Sequence, residues 1–149
     1  ASGLEVDHST KTIIRFVPTE WRVPALLKGD GTWTPSGMML LFWFENSTSG
    51  INLWLEIGPG PEETRQQLFE LALTSRPLRP SSKTLYRRFN RIYKRVMLGG
   101  SDVAEAELSD VEAQLQEFWR GWQEGDLQLI LNLLRSQAWL GIGGPSNGQ

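Results

Sequence analysis

The sequence predicts an α+β domain: an antiparallel sheet built on a central hairpin, packed by a strand-to-corner helix and by C-terminal helices. Three observations carry this expectation. Met38 to Phe44 is an unbroken apolar run of seven residues, as in a strand covered on both faces. Ile51, Leu53, Leu55 and Ile57 alternate with Asn52, Trp54 and Glu56, the period of a strand with one buried face. Leu127, Ile130, Leu131 and Leu134 recur at i, i+3, i+4 and i+7, which lays one apolar stripe along a helix.

The linker Glu45-Asn46-Ser47-Thr48-Ser49-Gly50 is turn chemistry, so the two strand runs pair most simply as an antiparallel hairpin. Ahead of them, 1–10 is polar and reads as flexible, and 12–17 (TIIRFV) is β-branched and aromatic, a strand stopped by Pro18. Thr19 caps a short helical turn through Arg22, which Pro24 interrupts. Lys28 to Gly37 is a loop of turn formers with Trp33 in its middle. After the hairpin, Gly58-Pro59-Gly60-Pro61 turns the chain into a helix at 61–74. Pro61 suits its first position, Glu62 and Glu63 complement its dipole, and Leu68, Phe69, Ala72 and Leu73 form its apolar stripe. Pro77 and Pro80 end it.

Ser81 to Phe89 reads as a short helix, and 92–98 (IYKRVML) as a strand stopped by Gly99-Gly100. Ser109-Asp110-Val111-Glu112 has the form of a capping box, opening a helical region at 109–138 broken near Gly125, with Asp126 able to cap the second part. Trp119 and Trp122 share a helical face with Leu115 and Phe118 and read as core. The Gly-rich 141–149 reads as a flexible tail. At 149 residues without internal repeat, the chain is the size of one domain, 1–149.

Composition narrows the chemistry. There is no cysteine, which excludes disulfides and thiolate sites and fits a cytoplasmic protein. Seven apolar residues in a row fall far short of a membrane span, so no membrane partner is expected. The chain begins Ala1-Ser2-Gly3 without an initiator methionine, which reads as the scar of a fusion or the cut edge of a longer protein.

No catalytic set, cofactor or metal site is implied by the residues. Metal-dependent phosphodiester cleavage needs carboxylates on adjacent strands with a lysine two residues beyond one of them. Glu45 and Glu56 lie on the hairpin, but Ser47 and Gly58 occupy the lysine positions, and the alternation turns Glu56 to solvent. His8, the only histidine, has no companion. The GPGP corner offers a helix N-terminus to an anion, yet its prolines delete donors and Glu62 and Glu63 repel phosphate, so it reads as a structural corner.

Charge distribution gives the one functional lead. Net charge is −2, but Arg76, Arg79, Lys83, Arg87, Arg88, Arg91, Lys94 and Arg95 are eight of the fifteen basic residues, with no acid between Glu70 and Asp102. Interleaved with Tyr86, Phe89 and Tyr93, they form a strip able to follow a phosphate backbone. The competing expectation is a solvated face, or a partner for the eight acids between Asp102 and Asp126.

Taken in order, IIRFVP, EW, GDGTWTPSGMMLLFWFEN, LWLEIGPGPEETRQQLFELAL and SSKTLYRRFNRIYKRVML resemble the C-terminal region of a prokaryotic and phage family in the PD-(D/E)XK nuclease superfamily, over Lys11 to Leu134. The most telling piece is the IGPG-x-E-x-x-R-x-x-L run from Ile57 to Leu68, with Arg65 one turn into the helix. The resemblance implies a DNA-processing or defence-related parent whose nuclease core lies N-terminal to this part. The family's Asp and Glu-x-Lys have no counterpart here, so the implied role is a non-catalytic accessory domain contacting nucleic acid, the nuclease core or a partner protein. The isolated chain should therefore show no cleavage with Mg²⁺ or Mn²⁺. Metal-dependent cleavage abolished by Glu45→Ala or Glu56→Ala would overturn that expectation.

Overall fold

Five strands pair antiparallel in the order in which the chain makes them. The computed structural model describes residues 3–9, 13–47, 50–99 and 108–143. Strands β1 (Leu4–Ser9), β2 (Ile13–Pro18), β3 (Leu40–Ser47), β4 (Gly50–Ile57) and β5 (Asn90–Gly99) form one sheet in the order β1-β2-β3-β4-β5. Helix α1 (Glu62–Thr74) is inserted between β4 and β5, and α2 (Leu108–Glu124) and α3 (Asp126–Arg135) follow β5. The expected α+β class is what the chain adopts. No described helix is long and apolar enough to cross a membrane.

The central hairpin is longer than its turn chemistry implied. Glu45 pairs with Asn52, Asn46 with Ile51 and Ser47 with Gly50, so most of the supposed linker belongs to the ladder. Pairing satisfies backbone groups that a six-residue loop would leave to water. The polar 1–10 segment likewise departs from the expectation of flexibility, since Leu4–Ser9 is β1, paired along β2. Leu4 and Val6 recur with period two, and that short alternation was the available signal.

One face of the sheet carries an aromatic core. Phe42 meets Trp122 edge-on at 5.0 Å, Phe16 meets Trp119 at 5.6 Å, and Trp21 stacks on Phe42 at 5.3 Å. Such contacts add to the burial energy of the rings. Leu127, Ile130, Leu131 and Leu134 are buried, as the α3 periodicity predicts. Gly125 does break the helical region, but it occupies the cap position itself, and Asp126 is the first residue of α3. The Asp126 carboxylate is engaged elsewhere: Tyr93 Oη donates to its Oδ2 at 2.6 Å and in turn accepts the Trp122 indole N–H at 3.0 Å. The 109–112 capping box lies where no side chain is described, and 144–149 lies outside the described residues.

The other face is also covered, which corrects the one-sided assignment of β4. Trp54 and Glu56 are each 8% exposed, so Glu56 does not face solvent. A second correction concerns Ser81–Phe89, which forms no helix. Its backbone is pinned instead: Ser81 N–H donates to Arg91 O, Tyr86 N–H to Asn90 Oδ1, and Asn90 Nδ2 to Thr84 O. These non-helical side-chain and strand partners outweigh a local helical tendency. A third concerns α1, whose buried face is Thr64, Arg65, Leu68, Phe69 and Ala72, while Leu73 is exposed.

Arg65 explains the run from Ile57 to Leu68. Its guanidinium, 3% exposed as a residue, donates to Gly58 O at 2.9 Å, Tyr86 O at 2.7 Å and Asn90 Oδ1 at 3.1 Å. Gly58 is required for a separate reason: a Cβ there would lie 2.0 Å from the Trp33 ring. Arg65→Met should destabilise the fold by about 2–4 kcal/mol, because it takes the arginine's hydrogen bonds from Gly58 O and Tyr86 O and leaves Asn90 Oδ1 with the Tyr86 N–H alone. Urea denaturation measures this, and an unchanged midpoint would refute the role given to Arg65.

Candidate nucleic-acid interface

The eight basic residues of the strip do not form one surface; the backbone sorts them into groups. Leu78 is buried, and beyond it Arg79 N–H donates to Ile92 O at 2.7 Å and Ser81 N–H to Arg91 O at 2.9 Å. The chain at 79–81 is thereby held against β5. Around it Arg76, Arg79, Lys83 and Lys94 line a concavity of about 680 Å³, with Leu73, Pro77 and Pro80 as apolar wall. No carboxylate lines it, and none of the four cations makes an ion pair among the described residues. Four positive charges gathered without a counter-charge create a potential that attracts an anion.

Arg87 and Arg88 belong to a second, smaller concavity of about 380 Å³ shared with Asp30, Pro59 and Gly60. Arg88 Nη2 donates to Thr32 Oγ1 at 2.9 Å, and the same Thr32 holds Asp30 through its N–H and its hydroxyl. Hydrogen bonds from Thr32 hold the Asp30 carboxyl below its usual range, with Arg88 adding to the effect. This group therefore contains its own negative charge. The GPGP corner borders it and meets Asp30 there, which weakens its claim as an anion site further.

Arg91 and Lys94 ride on tryptophan. In register, Arg15, Trp43, Trp54 and Lys94 make one row across β2 to β5. Arg91 Cζ lies 4.2 Å from the Trp54 ring centroid and 5.3 Å from that of Trp43, and Lys94 Nζ lies 5.0 Å from Trp54. These cation–π contacts orient the charges without neutralising them. The shared face of Arg15, Trp43 and Trp54 is set by strand register, which leaves no local signal in the sequence. Arg95 points to the opposite face, where Nη1 donates to Asp126 Oδ2 at 2.9 Å. Its placement corrects the idea of a single strip and realises, for one residue, the expected pairing with the 102–126 acids.

The interleaved aromatics divide in the same way. Tyr93 is buried and engaged with Asp126 and Trp122, so it is not available to a ligand; burial, then Asp126, push its phenol pKa up. Phe89 packs edge-on against Trp33 at 5.5 Å. Tyr86 is the most open of the three, 55% exposed against 38% for Phe89.

Glu45 Oε1 accepts the Trp54 indole N–H at 3.2 Å, and no group of three His, Asp or Glu side chains converges among the described residues. Comparison with protein-family models, with curated proteins and with solved structures finds no match to this chain.

Burial raises the Glu56 carboxyl pKa above its ordinary value, opposed by Arg91, by the Trp43 indole and by Arg15. Trp43 Nε1 lies near enough to act on that charge but makes no hydrogen bond of good geometry. A carboxyl that binds its proton more tightly folded than unfolded weakens the fold as pH rises from its unfolded pKa to its folded one. Glu56→Gln should therefore be more stable than the wild type at neutral pH, with the gap closing on acidification through the range just above the ordinary glutamate value. Denaturation across that range checks the sign, and a gap that widens in acid would refute it.

Proposed function

We propose that this chain is a non-catalytic accessory module that contacts the phosphate backbone of a nucleic acid through the surface between α1 and β5. The supporting observation is the convergence of Arg76, Arg79, Lys83 and Lys94 on one concavity lined by no carboxylate among the described residues. Long, flexible cations with no ion pair are suited to phosphate groups, whose spacing they can follow. The resemblance to the C-terminal region of a PD-(D/E)XK family supplies the context: a DNA-processing or defence-related parent protein in which a separate core performs the chemistry.

A second role, as a docking module for that core or another protein, draws support from Arg95. Its pairing with Asp126 shows how basic and acidic segments of the chain can neutralise each other. That pairing involves one of the eight residues, on the face opposite Lys94, and no described carboxylate pairs with the cations of the concavity.

Binding should be largely independent of sequence and steeply dependent on salt. Arg79→Glu with Lys83→Glu should weaken it for every sequence alike, and each lost ion pair should reduce the salt slope by about 0.7 to 0.9. Arg95→Glu should instead lower the melting temperature, since it sets a second negative charge beside Asp126. Titration of labelled DNA and RNA at two salt concentrations measures the first effect. Binding that is absent at low salt, or insensitive to the double substitution, would overturn the proposal.

A further inference from the structure

The concavity combines charge with two features that a duplex backbone does not need. Leu73, Pro77 and Pro80 give it an apolar wall, and Leu73 stays exposed at 46% although it ends an otherwise buried helix stripe. Ser82, which lines the cavity, donates its hydroxyl proton to Tyr86 Oη at 3.2 Å, so the exposed Tyr86 ring stands beside the mouth. The backbone of Tyr86 is fixed independently of its ring: its N–H donates to Asn90 Oδ1 and its carbonyl accepts from Arg65. An aromatic anchored through its backbone thus stands, by its hydroxyl's bond to Ser82, at the edge of a concavity lined by four cations that make no ion pair among the described residues, and it also borders a smaller hollow with Glu62, Arg65 and Arg87.

That juxtaposition matches an unpaired nucleotide. Bases in a duplex are stacked against one another and offer a protein their edges, whereas a single strand can turn a base face onto an aromatic side chain. At about 680 Å³ the concavity is in the size range of small-ligand pockets, with room for a nucleotide phosphate and sugar. We infer that the site selects single-stranded nucleic acid, stacking a base on Tyr86 while Arg76, Arg79, Lys83 and Lys94 hold the adjoining phosphates. The inference rests on the backbone-contact proposal above and adds the strand state and the stacking residue.

The test uses the whole chain and three labelled probes of equal length: an oligothymidylate, an abasic strand and a duplex, followed by fluorescence anisotropy at low salt. The oligothymidylate should bind tighter than either of the others. Tyr86→Ala should weaken oligothymidylate binding on the order of tenfold, leave duplex and abasic binding unchanged and leave the melting temperature unchanged. Tyr86→Phe should bind like the wild type. Arg79→Gln with Lys83→Gln should weaken all three. If Tyr86→Ala has no effect, or the abasic strand binds as well as the oligothymidylate, the single-strand inference is overturned while the phosphate contact survives. If none of the probes binds the wild type at low salt, both fall together.

Discussion

A buried guanidinium holds this structure's basic segment in place. Between β4 and β5 the chain makes a long excursion through a proline-rich corner, a helix and an irregular basic stretch. Arg65, from the first turns of α1, reaches back to the corner at Gly58 and forward to the basic stretch at Tyr86 and Asn90. A charge taken out of water is costly unless its hydrogen bonds are satisfied, so the three acceptors and the arginine depend on one another. Lysine could not replace it, because a single ammonium lacks the planar fork that reaches three separate acceptors. Without this clamp, the corner, the helix and the stretch bearing Tyr86 would have no common anchor.

The outer face of the sheet adds a second constraint. Trp43 and Trp54 stack at 6.2 Å and are almost fully buried, with Arg91 over both rings and Lys94 over Trp54. Aromatic rings let a cation approach a buried surface while keeping its charged end toward water. This explains how Glu56 can sit inward on the same face, beside Arg91 in the register, without an ion pair of its own among the described residues. The sheet's second face is therefore neither a bare polar surface nor a second apolar core.

The fold was readable from the sequence where periodicity and burial agree. The apolar run at 38–44, the alternation at 51–57 and the stripe of α3 all correspond to elements found. Reading failed where a distant partner decides the conformation. The 81–89 stretch carries helical spacing, but Arg65, Asn90 and the edge of β5 hold it otherwise. Glu56 alternates like a solvent-facing residue, but its neighbours across the sheet, Leu41 and Arg91, are set by register, which no local pattern reveals. The candidate site was legible as composition only. A count of basic residues located the segment, while the division into an open concavity, an acid-bearing concavity and Arg95 on the far face depends on strand alternation and on the pinned backbone.

The geometry of the excursion also bears on how such a domain could diversify. It leaves the sheet at Ile57 and returns at Asn90, and these two residues are direct partners in the ladder. Everything between them is thus a closed detour on a completed hairpin, and its length can change without shifting the register of any strand. Insertions, deletions or exchanges in its exposed stretches, away from Arg65 and the buried Leu68, Phe69, Ala72 and Leu78, would alter the surface it presents while the five-stranded chassis stayed as it is. A lineage built on this plan can revise what it grips without having to rediscover how to fold.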